Sequence, residues 1–154
     1  MGDARVSDIY NYRAVDARLS TSGQPTEDEL RAVAREGFEV VINLALHDDP
    51  RYSLRDETGL VQSLGMRYVH IPVQFAAPTE ADLDAFIAAM AQHRARRILV
   101  HCAANKRVTS FLGLYRVIQQ GWREEEAFAL MHSVWEPDAV WASFIAAMLE
   151  RTRG

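Results

Sequence analysis

Cys102 is the only cysteine of the 154-residue chain, and Arg107 follows it across Ala103-Ala104-Asn105-Lys106. A thiolate is a strong nucleophile, and an arginine fork can grip two oxygens of a phosphate or sulfate at once. Together they supply the two parts of covalent group transfer, an attacking sulfur and a charged cradle. Ala103 and Ala104 are small enough to let backbone N–H groups approach an anion. Asn105 suits a positive φ or holds the loop's shape, and Lys106 adds charge at the mouth. His101, just before the cysteine, reads on its own as a hydrogen-bonded core histidine. A buried core thiol is the plain alternative for Cys102, but its company in the sequence favours chemistry.

That company is a strand before and a helix after. Ile98-Leu99-Val100 is a short apolar run of the kind found in the middle of a parallel sheet. Val108, Phe111, Leu112, Tyr115 and Ile118 then recur at helical spacing. The junction of strand and helix is where open α/β sheets hold ligands, and a helix N-terminus favours anions, a thiolate included.

The rest of the chain supplies alternating elements. Residues 1–8 are polar and expected to be loose, and residues 10–22 supply one or two edge strands. Thr26 caps a helix with Glu29 completing a capping box, and Gly37 stops it. Phe38 to Leu44 reads as a buried strand, Ser53 to Leu64 as a helix ended by Gly65, and Met66 to Val73 as a strand. His70 on that strand is read as structural. Thr79 caps a helix with Leu83, Phe86, Ile87 and Met90 on one face. The last third predicts helices over 108–120, 124–133 and 139–151, with Trp135, Trp141 and Phe144 in the core. No linker or internal repeat is visible, so residues 1–154 are expected to form one domain.

His101-Cys102, a short loop and Arg107 between strand and helix resemble the signature of the cysteine-dependent protein tyrosine and dual-specificity phosphatases. Ser22-Gly23-Gln24-Pro25-Thr26, Val40-Val41-Ile42-Asn43-Leu44, Ile71-Pro72-Val73 and Val100-His101-Cys102 widen the likeness. From about Tyr12 onward the chain resembles a bacterial group of small phosphatase-like proteins related to the beta-lactamase-hydrolase-like proteins. The resemblance implies an α/β fold, a central mostly parallel sheet of four to five strands flanked by helices in a three-layer sandwich. It implies Cys102 as the nucleophile and Arg107 as the phosphate clamp. Residues 103–107 would form the phosphate-binding loop, with His101 orienting it and lowering the thiol pKa.

Two departures from that signature leave alternatives open. Four residues separate Cys102 from Arg107 where the phosphatases have five, and four is the spacing of rhodanese-like sulfurtransferases. Where the phosphatases carry an aspartate acid, the chain has Gln74-Phe75-Ala76-Ala77 and no carboxylate before Glu80. His47, Asp48 and Asp49, in the loop after Leu44, are the nearest substitutes, but a solvated acidic turn, with Asp48 or Asp49 capping the next helix, is the preferred reading of them. The expected activity is hydrolysis of phosphate monoesters, phosphotyrosine among them, through a phosphocysteine. The alternatives are sulfur transfer through a Cys102 persulfide and a non-catalytic phosphate- or sulfate-binding module.

Composition sets the outer bounds. A net charge of −4 gives no reason to expect nucleic acid, and no apolar run is long enough to span a membrane. One cysteine fits a reducing, cytoplasmic setting, and neither a metal nor a cofactor is expected. The partner is a phosphorylated or other oxyanion substrate.

Overall fold

The computed structural model describes residues 3–153. Five strands form one sheet: β1 (Arg13–Ala14), β2 (Leu19–Ser22), β3 (Val40–Asn43), β4 (Arg67–His70) and β5 (Ile98–His101), in the order β1-β2-β5-β3-β4. Only β1 runs antiparallel; β2, β5, β3 and β4 are parallel neighbours. The apolar run before Cys102 therefore occupies the centre, and all four residues of β5 are buried. β2 is not an edge strand, because it pairs with β5 from Leu19 against Ile98 to Ser22 against His101.

The strand period of two sorts the core into two layers. Val40, Ile42, Ile98 and Val100 face one side, with Phe86, Phe111 and Trp141, while Val41 and Leu99 face the other with Leu30, Val33 and Val61. The first side is covered by α3 (Glu80–His93), α4 (Lys106–Ile118) and α7 (Ala139–Arg153), and the second by α1 (Glu27–Arg35) and α2 (Glu57–Ser63). This is the α/β sandwich expected. α1 and α3 begin in full capping boxes, Thr26 with Glu29 and Thr79 with Asp82. Gly37 and Gly65 follow their helices at φ 93° and 82°.

Local departures have tertiary causes. Residues 3–8 are not loose: Val6–Asp8 form a 3₁₀ turn, Val6 is buried, and its N–H donates to Glu36 Oε2 at 2.9 Å. Met1 and Gly2 lie outside the described residues. β4 stops at His70 because Pro72 has no N–H, although Ile71 and Val73 still donate to the Asn43 and Leu44 carbonyls. α2 starts at Glu57 rather than Ser53, since Tyr52 and Ser53 are tied back to Leu46 and the cap is Asp56. The expected helix over 124–133 is two, α5 (Glu124–Ala127) and α6 (Ala129–Val134), broken at Phe128. There the Phe128 ring lies on Gly113 of α4, where a Cβ would meet it at 2.3 Å. No helix among the described residues is long and apolar enough to cross a membrane.

Candidate active site

Leu99 and Val100 anchor β5 in the core, so the chain leaves the sheet at a fixed point, and Cys102 follows at 1% exposure. The turn after it is closed by Asn105, whose φ of 65° lies in the left-handed region that asparagine tolerates. α4 begins at once, at Lys106 rather than Val108, so Arg107 is its second residue. The short loop thus becomes a tight link between a central strand and a helix N-terminus.

The loop is braced from outside. Asn105 Nδ2 donates to the Asn11 carbonyl at 2.8 Å and to Thr21 Oγ1 at 3.0 Å, while Asn11 Nδ2 donates to the Ala104 carbonyl at 3.1 Å. Asn11 is also left-handed, at φ 52°, so two left-handed asparagines stitch the loop to the N-terminal segment. Gly23 packs under it, donating its N–H to the Tyr10 carbonyl at 2.7 Å. A Cβ at Gly23 would lie 2.6 Å from the Ala103 oxygen, so only glycine fits.

Cys102, Ala103, Ala104, Lys106 and Arg107 line a cavity of about 630 Å³. Gln74, Phe75 and Ala76 form a second part of its wall, and Leu46, Asp49, Arg51 and Tyr52 a third. Asn105 does not line it; its side chain serves the brace. Lys106 Nζ lies 5.4 Å from the centre of the Trp135 ring. Arg107 is 5% exposed, and its Nη1 donates to the Val73 carbonyl at 2.8 Å. Its Nε is buried and has no hydrogen-bond partner. The Trp141 indole N–H donates to the Phe75 carbonyl at 2.7 Å. The segment after β4 is therefore pinned by both Arg107 and Trp141.

Behind Cys102 lies a buried His101–Glu57 pair that the sequence did not reveal. His101 is fully buried; its Nε2 lies 2.6 Å from Glu57 Oε2 and its Nδ1 3.2 Å from the Cys102 carbonyl. The carbonyl and the carboxylate are both acceptors, so a ring N–H on either side has a partner. Burial alone would push Glu57 up. The His101 charge and hydrogen bond, with bonds from Gln24 and Tyr68, outweigh it and bring the carboxyl down to about 2. Gln24 Nε2 donates to Glu57 Oε1 at 2.8 Å. The Tyr68 phenol is pushed up by burial and by Glu57, and its oxygen lies 2.7 Å from His47 Nε2.

The other candidates separate. Asp49 lines the cavity, whereas Asp48 does not. Arg51 grips Asp49 through Nε to Oδ1 at 3.0 Å and Nη2 to Oδ2 at 2.7 Å. That side-chain bond, helped by the Arg51 backbone N–H, holds the Asp49 carboxyl near 2. His70 has a structural place, stacked on His47 at 3.6 Å with its Nε2 2.6 Å from the Ala45 carbonyl. Glu80, at the start of α3, pairs with Arg151 outside the cavity. No cluster of three or more metal-ligating side chains occurs among the described residues.

Residues 5–140 match the family described as a DSP-PTPase phosphatase fused to NAD+ kinase. The chain belongs to this family. It is 34% identical over 121 residues to a beta-lactamase hydrolase-like protein of Xylella fastidiosa (strain Temecula1). That stretch covers 77% of this chain but 28% of the relative, so the chain spans little more than a quarter of that protein's length. A crystal structure of a DUF442 candidate phosphatase from Shewanella putrefaciens CN-32 superposes with a TM-score of 0.84 at 30% identity, covering 96% of each chain. The active form of Tk-PTP shares the fold, with a TM-score of 0.72 at 23% identity over 92% of this chain and 95% of its own. Membership of the DSP-PTPase family makes this a phosphatase-type fold of the cysteine-dependent class.

Proposed function

We propose that the chain hydrolyses phosphate monoesters through a covalent phosphocysteine at Cys102. The observation that carries this reading is Arg107: a guanidinium at 5% exposure, lining the same cavity as the thiol, with its Nε lacking any partner. A buried unpaired donor is costly, and a phosphoryl oxygen is the acceptor it suits. The Cys102 thiolate attacks phosphorus while Arg107 and the N–H groups at the start of α4 hold the non-bridging oxygens. The same groups then hold the phosphoryl group while water displaces sulfur.

Family membership supports the reaction class, and the fixed wall around Phe75 supports a substrate with an apolar or aromatic part beside the phosphate. Phosphotyrosine is one such substrate. Hydrolysis of an aryl phosphate by the wild-type protein and by Cys102→Ser, from mildly acidic to neutral pH, tests the proposal. Turnover abolished by Cys102→Ser is the expected result, and Arg107→Lys is expected to lose at least about 100-fold in kcat/KM. No turnover by the wild type, or turnover surviving in Cys102→Ser, overturns the mechanism.

A further inference from the structure

We propose that Asp49 is the general acid of this site, and that Arg51 holds it in reserve until a phosphorylated substrate draws the guanidinium away. The inference rests on the phosphatase reading above. An alkyl phosphate leaves as a strongly basic alkoxide unless a proton reaches its oxygen, so a carboxyl is needed at the cavity wall. Asp49 is the only carboxylate among the described residues that line the cavity. The segment after β4 offers only Gln74, Phe75 and Ala76 there.

Asp49 is placed by a stitched loop rather than left in a free turn. Its N–H donates to Ser53 Oγ at 3.0 Å, and Ser53 Oγ donates to the Leu46 carbonyl at 2.7 Å. Its side chain is 13% exposed while that of Arg51 is 83% exposed, so the acid sits in the wall and the clamp reaches it from the solvent side. Arg51 also lines a neighbouring cavity of about 710 Å³, which gives its side chain room to turn. The charged and titratable groups sharing the first cavity with Asp49 are Arg51 and Tyr52 of its own loop, Cys102, and Lys106 and Arg107 of α4. A bound phosphoryl dianion offsets the two α4 cations and competes for Arg51. Both changes favour a proton on Asp49, taken from solvent.

In the first step Sγ bonds to phosphorus as the ester P–O bond breaks. The bonding pair goes to the leaving oxygen, which takes the Asp49 proton and departs as a neutral alcohol. In the second, water attacks phosphorus and gives its proton to Asp49, and the S–P pair returns to Sγ as the thiolate.

The test compares p-nitrophenyl phosphate, whose leaving group needs little protonation, with ethyl phosphate. Asp49→Asn is expected to lower kcat/KM at least about 100-fold for ethyl phosphate and about 10-fold at most for p-nitrophenyl phosphate. The aryl substrate thus also reports that the variant is folded. Equal losses on both substrates, or no loss on ethyl phosphate, overturn the assignment. Arg51→Gln is expected to move the basic limb of the kcat/KM profile to higher pH, because Asp49 then keeps its proton longer; an unmoved limb overturns the reserve role. Cys102-dependent turnover of p-nitrophenyl phosphate with a failed Asp49 test removes only this inference. Absence of all turnover removes the phosphatase reading as well.

Discussion

The Glu57 carboxylate is buried against His101, so its ionisation is coupled to folding. A carboxyl whose folded-state pKa lies below its unfolded value stabilises the fold above the unfolded value, and that contribution disappears as pH falls through the folded one. For Glu57 the window runs from the ordinary 4.5 down to about 2. Urea unfolding of the wild type is therefore expected to show stability falling across that window. The same measurement on Glu57→Gln should show a flatter acid limb and lower stability at neutral pH; an identical acid limb would mean that the pair contributes nothing. That Cys102 and Arg107 would sit side by side was legible in the sequence, because only four residues separate them, and both line one cavity. Glu57 was not, since it lies 44 positions from His101 and no spacing rule links them. Asn11, 94 positions from Asn105, was invisible for the same reason.

Elements were legible where their determinants are local. The boxes at Thr26 and Thr79 place two helix starts to the residue, because cap and partner lie three positions apart. The start of α2 and the break between α5 and α6 were not, because Leu46 and Gly113 decide them from elsewhere in the chain. Gly23 tests how closely the end of β2 and the Cys102 loop must approach. Gly23→Ala would force the Ala103 carbonyl or the Tyr10 ring aside. The expected outcome is a loss of aryl-phosphate turnover of about 10-fold or more, alongside a fall in Tm of a few degrees. Undiminished turnover would show that the loop tolerates displacement.

For the molecule as a whole, the alternation of strands and helices was enough to give the sandwich, and the three-residue apolar run at β5 enough to give its centre. The place of β2 inside the sheet was not legible, because partner choice among parallel strands depends on long crossovers rather than on the strand's own residues. The N-terminal segment was also misread: its polar residues conceal Val6 and Ile9, which complete the core layer containing Leu30 and Val33. Val6→Ala is expected to cost about 1–3 kcal/mol in denaturant unfolding, and a change under about 0.5 kcal/mol would return the segment to the surface. That segment runs directly into Tyr10, which holds Gly23, and Asn11, which grips the loop carrying the sulfur. It is therefore a lever as well as an anchor. A packing defect at Val6 or Ile9 shifts the same few residues that brace the loop, and so reaches Cys102 through two asparagines.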